Sequence, residues 1–113
     1  MADNAVYGSY GWAGYIARVD LTSGNITTES DEELQDLYIG GMGFANKIMA
    51  DEVPAGTKWD DPENKAVLAV GPLTGSGVPL AGRSTWATLS TFTKDYLIVD
   101  AHCGGTLGAQ LKY

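Results

Sequence analysis

The chain has 113 residues and carries 14 acidic and 7 basic side chains, giving a net charge of −7. This length predicts one domain, and a hydrophobic content of 44% is enough for a packed core and excludes a disordered tail. The acidic balance argues against nucleic acid or an anionic membrane as a partner, because both require a basic surface. The single cysteine, Cys103, excludes an internal disulfide framework and suits a reducing compartment. With no secretory signal and no run of about 20 apolar residues, we expect a soluble cytoplasmic protein.

The first part of the chain predicts an arm, a hairpin and a helix. The first dozen residues include two glycines and three aromatic side chains, and residues 1–9 are predicted to form a flexible arm. Alternation over Tyr15–Leu21, followed by turn residues and a β-prone run from Ile26, predicts a hairpin. Ser30 and Glu33 have the spacing of a capping box, with Ser30 as the N-cap. We therefore expect a short amphipathic helix, whose acidic first turn stabilises the helix rather than performing catalysis.

The rest of the chain predicts further short elements. They are a helix over 43–52, a buried strand over 66–70, a β-prone run over 84–91, a strand over 96–100 that breaks at 101–105, and a helix from 106. With no internal repeat, this order predicts an α+β fold of about five short strands and about two or three short helices.

Glycine is the residue with an unusual count. It occupies 15 of 113 positions, about twice its ordinary share, and it clusters at 40–43, 71–82 and 104–105. Glycine lets a backbone approach a ligand closely, and amides at a helix start favour an anion, so each cluster is a candidate phosphate cradle. Tight turns are the stronger explanation for any single cluster. The GxGxxG and GxxxxGK[ST] nucleotide motifs are absent.

Three polar side chains near these clusters could carry chemistry. Arg83 follows the longest glycine segment and is either a phosphate clamp or a surface arginine. His102, the only histidine, is either a ligand or a structural residue. Cys103 is expected to be a small buried residue rather than a nucleophile. No catalytic residue and no metal ligand is predicted in this chain.

Short motifs follow one another along the chain in a distinctive order. They are W-x-G-x-x-x-R-V-x-L-T-x-G (Trp12–Gly24), Y-x-G-G-x-G (Tyr38–Gly43), D-E-V-P-x-G (Asp51–Gly56), P-E-N-K (Pro62–Lys65), G-P-L-T-G (Gly71–Gly75), Gly82-Arg83 and G-G-x-x-x-x-x-L-K (Gly104–Lys112). This order resembles the start of the tungsten-dependent aldehyde ferredoxin oxidoreductase family. Through residues 71–83 and the run STFTKDYLIVDAH, the chain is similar to molybdenum- or tungsten-type members in particular.

The resemblance implies a fold and a reaction. Residues 10–113 would form part of a β-rich, saddle-like N-terminal domain that cradles pterins. The family oxidises aldehydes with water to carboxylic acids, or reduces the acids, and passes electrons through a 4Fe–4S cluster to ferredoxin or another carrier. Tungsten or molybdenum is held by two pterin dithiolenes, whose phosphates a magnesium ion links. The cluster cysteines of the family have no counterpart here, so the chain is expected to be inactive alone.

The resemblance also implies site residues. Arg83 matches the family arginine between pterin and cluster, and Gly104 matches a glycine whose backbone contacts the pterin. Gly105 is its neighbour in the site, and Gly82 is the expected hinge of the preceding loop. His102 falls where the best-known members have an asparagine near the magnesium, a departure that puts the magnesium contact in question.

Two kinds of partner are expected. One is the remainder of the oxidoreductase or a complementary chain, with ferredoxin or another carrier serving the whole enzyme. The other is a second copy, because Trp86, Leu89 and Ile98 are predicted to expose apolar surface. The alternative function is a non-catalytic binding module, or a subunit that a partner chain completes.

Overall fold

The computed structural model describes residues 11–93 and 97–113, which form five strands and three helices. In chain order they are β1 (Tyr15–Val19), β2 (Ile26–Ser30), α1 (Glu32–Tyr38), α2 (Met42–Glu52), β3 (Val67–Val70), β4 (Ser84–Leu89), β5 (Ile98–Cys103) and α3 (Leu107–Lys112). The α+β class predicted from the sequence is confirmed. The arm predicted over 1–9 lies outside the described residues.

The strands form two small antiparallel sheets. β1 pairs with β2 as the predicted hairpin, and β4 lies between β3 and β5 in a second sheet. The register of this second sheet aligns Val70, Ser84 and Cys103 in one row. That row marks the end of β3, the start of β4 and the end of β5, and we call it the glycine-rich end because glycines follow or precede each of its strands.

Helix α2 forms the core with one face of the three-stranded sheet. Its buried residues recur at the spacing of a single helical stripe, as in other amphipathic helices that pack on sheets. The core cluster consists of Phe44, Ala45, Met49, Ala69, Ala87 and Leu89. The helix predicted over 43–52 is confirmed, and no described helix is long and apolar enough to cross a membrane.

An ion network fastens the hairpin to α2. The Arg18 guanidinium donates two hydrogen bonds to each of two carboxylates, Glu29 and Glu52, at donor–acceptor distances of 2.6 and 2.8 Å in each case. Lys65, in the segment before β3, places its Nζ 2.8 Å from Glu52 Oε2. Glu52 therefore connects β1, α2 and the entry to β3.

The predicted capping box is wrong. Ser30 pairs with Tyr15 as the last residue of β2, and α1 begins after Asp31, which is 5% exposed. The Ser30 hydroxyl accepts a hydrogen bond of 3.3 Å from the Glu32 amide, and no side chain caps the helix. Strand pairing holds Ser30 extended, so the helix starts one residue later than the local spacing indicates.

The predicted break after residue 100 is also wrong. β5 continues to Cys103 because Ala101, His102 and Cys103 pair in turn with β4. Cys103, expected to be buried, is exposed. It lies on the sheet face opposite His102, since neighbouring strand residues alternate.

The apolar surface differs from expectation at one residue. Trp86 and Ile98 are 43% and 38% exposed, as predicted, whereas Leu89 is buried at 6%. Leu89 lies on the sheet face that α2 covers and belongs to the core cluster.

Candidate functional site

The three glycine clusters come together at the glycine-rich end of the sheet. Gly71 directly follows β3, Gly82-Arg83 directly precedes β4, and Gly104-Gly105 directly follows β5. The first cluster reaches the same end, because the Gly41 amide donates a 3.0 Å hydrogen bond to the Val70 carbonyl. Segments as far apart in the sequence as those of Gly41 and Gly104 thus form one surface.

Some of these glycines are explained by the protein's own packing. A Cβ on Gly82 would lie 2.7 Å from the Gly105 carbonyl oxygen, and one on Gly40 would lie 2.9 Å from the Val70 carbonyl oxygen. Gly105 has a φ of +82°, which L side chains rarely adopt. Close backbone approach and turn geometry therefore account for these three positions.

Gly71 and Gly104 are different. A Cβ on either would meet nothing within 4 Å, and neither has a positive φ. Neither the fold nor the turn geometry of the described chain requires glycine at these two positions. They are also the residues next outward from Val70 and Cys103, on either side of Arg83, which precedes Ser84. The outermost row at this end is thus an arginine between two glycines that open space surrounds.

Arg83 is exposed, and within 11–93 and 97–113 no salt bridge or side-chain hydrogen bond involves its guanidinium. It differs in this respect from Arg18, whose donors two carboxylates occupy. A guanidinium with exposed donors can bind a phosphate through paired hydrogen bonds. The sheet register brings four of the predicted site residues together at the glycine-rich end: Gly82, Arg83, Gly104 and Gly105.

His102 lies two rows further into the sheet than Arg83, and both of its ring nitrogens have protein partners. Nε2 is 2.8 Å from Asp100 Oδ2, and Nδ1 is 3.1 Å from Thr85 Oγ1. Because a carboxylate only accepts, Nε2 donates to Asp100, and the neutral ring accepts the Thr85 hydroxyl at Nδ1. A direct bond from His102 to a phosphate or an ion-bound water would require it to give up one of these partners.

Sequence reasoning missed the partners of His102. The i, i+2 spacing of Asp100 and His102 puts both on one face of a strand, and this signal was available. Thr85 could be found only from the strand register, since seventeen positions separate it from His102.

A groove with a different lining lies elsewhere. It has a volume of about 610 Å³ and lies between the hairpin and helices α1 and α2, and none of the predicted site residues lines it. Its walls carry several carboxylates, including Glu32 and Glu33. No group of three or more potential metal-ligating side chains occurs among the residues that the structure describes.

The fold and the glycine-rich end define an α+β domain with an exposed backbone edge at one end of a small sheet. The family model of the aldehyde ferredoxin oxidoreductase N-terminal domain matches residues 16–113. The chain therefore belongs to that family, and the resemblance read from the motifs is confirmed.

Curated relatives agree with this assignment. The chain is 39% identical over 105 residues to the tungsten-containing aldehyde ferredoxin oxidoreductase of Pyrococcus furiosus, and 36% identical to that of Thermococcus kodakarensis. In both comparisons the match covers 92% of this chain and 17% of the relative.

A solved structure has the same fold. It is the active site complex BamBC of benzoyl coenzyme A reductase in complex with 1,5-dienoyl-CoA, and it matches with a TM-score of 0.82 and 33% identity. The match covers 91% of this chain and 16% of that one.

Proposed function

We propose that this chain is the N-terminal part of an aldehyde:ferredoxin-type oxidoreductase and that its glycine-rich end forms part of a bis-pterin cofactor site. The reaction is the oxidation of an aldehyde with water to a carboxylic acid. The observation that carries the proposal is the outermost row of the sheet, where Arg83 stands between Gly71 and Gly104, two glycines that neither contacts nor φ explain.

The residues present fit a flat, phosphorylated group. At Gly71 and Gly104 the backbone can be approached without a side chain in the way, and Arg83 can pair with phosphate oxygens. Gly105 and Gly82 hold the two segments at the close spacing that places these groups side by side. In this proposal the chain binds and orients the cofactor, whose tungsten or molybdenum supplies the oxidation–reduction chemistry when bound.

Other cofactor elements would depend on residues outside this chain. A 4Fe–4S cluster takes four cysteine thiolates, and this sequence has one cysteine. The cluster, the electron transfer to ferredoxin or another carrier, and the catalytic groups are therefore proposed for the remainder of the enzyme. Accordingly, residues 10–113 are proposed as part of a domain that is inactive alone.

His102 is proposed to act at the edge of the site. Its bond to Asp100 fixes the ring on β5, the strand that leads into Gly104. In place of the Thr85 hydroxyl, its Nδ1 can accept a hydrogen bond from a water on a magnesium ion. Binding a phosphate oxygen at Nδ1 requires the protonated ring, which donates there.

The proposal is tested on the whole protein, meaning the polypeptide in which this chain occurs, or the chain itself if it is complete. The protein is produced with tungstate or molybdate, and its metal and pterin are measured per polypeptide. We expect both in the unaltered protein and a loss of about tenfold in Arg83→Ala, because a charge-assisted phosphate contact is removed. Lys58→Ala is the matched control, since it removes an exposed positive charge elsewhere. An unaltered protein that holds neither metal nor pterin contradicts the proposal.

A subunit completed by a partner chain is the second candidate. Trp86 and Val99, which lie on the sheet face opposite α2, are 43% and 39% exposed. Exposed apolar surface of this kind marks an interface. Sedimentation of the 113-residue chain tests for such an interface: self-association supports an unfilled interface, and a stable monodisperse monomer supports a self-sufficient binding module.

A further inference from the structure

The Lys112 ammonium is held by backbone carbonyls. Its Nζ lies 2.7 Å from the Pro72 oxygen, 2.9 Å from the Thr74 oxygen and 3.4 Å from the Gly71 oxygen. No carboxylate pairs with it within the part of the chain that the structure describes. Burial lowers the pKa of Lys112 below its ordinary value.

Helix α3, which carries Lys112, packs along the same glycine segment. A Cβ on Gly108 would lie 2.9 Å from Thr74 Cγ2 and 3.1 Å from the Gly82 carbonyl oxygen, so the helix touches the segment near both of its ends. The Tyr113 hydroxyl donates a 3.1 Å hydrogen bond to the Gly75 carbonyl. Helix α3 and the following Tyr113 therefore contact the segment from Gly71 to Gly82.

We propose that Lys112 is a positioning residue that fastens the 71–75 turn to α3 and thereby holds Gly71 and Arg83 in place for an anion. The inference rests on the proposed function, because it assumes that Arg83 meets a phosphate.

A lysine suits this role for a physical reason. Its ammonium has three donors and no acceptor, and three carbonyl oxygens of one turn converge on it. The segment has four glycines and two prolines over residues 71–83 and few hydrogen bonds of its own, including those from the Thr74 amide to the Gly71 oxygen and from the Ser76 amide to the Leu73 oxygen. Ordering so flexible a segment costs conformational entropy. Lys112, which lies outside the segment, helps to hold it in one conformation through its hydrogen bonds.

The first test is amide hydrogen exchange of the cofactor-free whole protein. Lys112→Met keeps the aliphatic chain and removes the donors. We expect exchange at Thr74 and Ser76 to accelerate about tenfold, in line with the net worth of one or two hydrogen bonds. Lys112→Arg restores part of the protection, because it keeps a cationic donor. Lys47→Met is the matched control: it removes a helical lysine that pairs with Asp51 on the far helix α2, and it should leave both amides unchanged.

The second test asks whether the fastening acts through Arg83. Inorganic phosphate is titrated into the cofactor-free protein and into the variants Lys112→Met, Arg83→Ala and the double variant. We expect Lys112→Met to weaken phosphate binding about fivefold when Arg83 is present and to have no further effect when Arg83 is absent. Non-additivity of this kind is the signature of one residue acting through another. General destabilisation would instead weaken binding in both backgrounds.

The outcomes separate this inference from the proposed function. Unchanged exchange in Lys112→Met overturns the inference alone, and so does phosphate binding that Lys112→Met leaves unchanged. If the unaltered protein binds no phosphate at the glycine-rich end, the proposed phosphate site fails and the inference fails with it.

Discussion

At the scale of single residues, Glu52 is the point where the hairpin, helix α2 and the entry to β3 meet. Hydrogen bonds from Arg18, and secondarily from Lys65, hold the pKa of Glu52 below its ordinary value near 4.5, although burial acts in the opposite direction. Hydrogen bonds to Glu29 and, next, to Glu52 raise the pKa of Arg18. Both shifts favour the charged form of the side chain, so the ion pair is favoured in the folded state.

Because the pKa of Glu52 is lowered by folding, its stabilisation is complete above pH 4.5 and is lost as the pH falls through the folded-state value. We predict that Glu52→Gln lowers the free energy of unfolding by about 1 kcal/mol at neutral pH, an amount at the upper end for partly exposed ion pairs. Urea unfolding of the chain at pH 7 and pH 3.5 measures this loss.

The matched control is Asp51→Asn, which breaks an exposed i, i+4 pair with Lys47. It should cost no more than about 0.5 kcal/mol. A Glu52→Gln variant that is as stable as the unaltered chain at pH 7 would show that the network contributes nothing. If the difference between the two proteins failed to shrink at low pH, the pKa argument would be wrong.

Glycines at the glycine-rich end give a second prediction. Gly82→Ala should lower stability by about 1–3 kcal/mol, because the new methyl group overlaps the Gly105 carbonyl. Gly104→Ala, which meets nothing in the described chain, should change stability by less than about 0.5 kcal/mol and yet reduce pterin retention in the whole protein. Thermal unfolding and pterin analysis measure the two effects separately. Full retention in Gly104→Ala would remove that residue from the proposed site.

At the scale of elements, the sequence predicts those strands and helices that depend on neighbouring residues alone. The hairpin follows from alternation on either side of a glycine turn, and α2 follows from the spacing of Phe44, Ile48 and Met49. The end of β2 and the extension of β5 to Cys103 were not predictable in this way, because they depend on partner strands that the local sequence does not reveal.

Ser30 provides a test at this scale. A capping serine replaced by alanine costs about 1 kcal/mol, but Ser30 lies in β2, and its one hydrogen bond to Glu32 is long at 3.3 Å. We therefore predict that Ser30→Ala lowers the unfolding free energy by less than about 0.5 kcal/mol. Chemical denaturation measures the difference, and a loss of 1 kcal/mol or more would favour the capping box over the structure.

The candidate site was partly predictable. Glycine clustering and the family motifs pointed to Arg83 and Gly104, whose role in the site stays a prediction. Packing requires glycine at positions such as Gly82, whereas a Cβ at Gly71 would meet nothing. Only the three-dimensional structure separates these two kinds of glycine. The same holds for the row that brings Gly71, Arg83 and Gly104 together, since it follows from the sheet register.

At the scale of the whole molecule, the two faces of the three-stranded sheet differ. α2 covers one face of the three-stranded sheet, while Trp86 and Val99 remain partly exposed on the other. The chain spans 17% of the length of the tungsten-containing relatives it matches. An exposed apolar face beside a backbone edge is what the proposal expects of a domain that shares a cofactor with further polypeptide.

The central claim is that the glycine-rich end contacts the cofactor, and hydrogen exchange of the whole protein with and without bound pterin tests it most directly. The account predicts that cofactor binding slows exchange in the segments containing Gly71, Arg83 and Gly104. It also predicts no change at the hairpin turn around Gly24, which lies in open space. Bound cofactor that leaves exchange at the glycine-rich end unchanged would contradict the account.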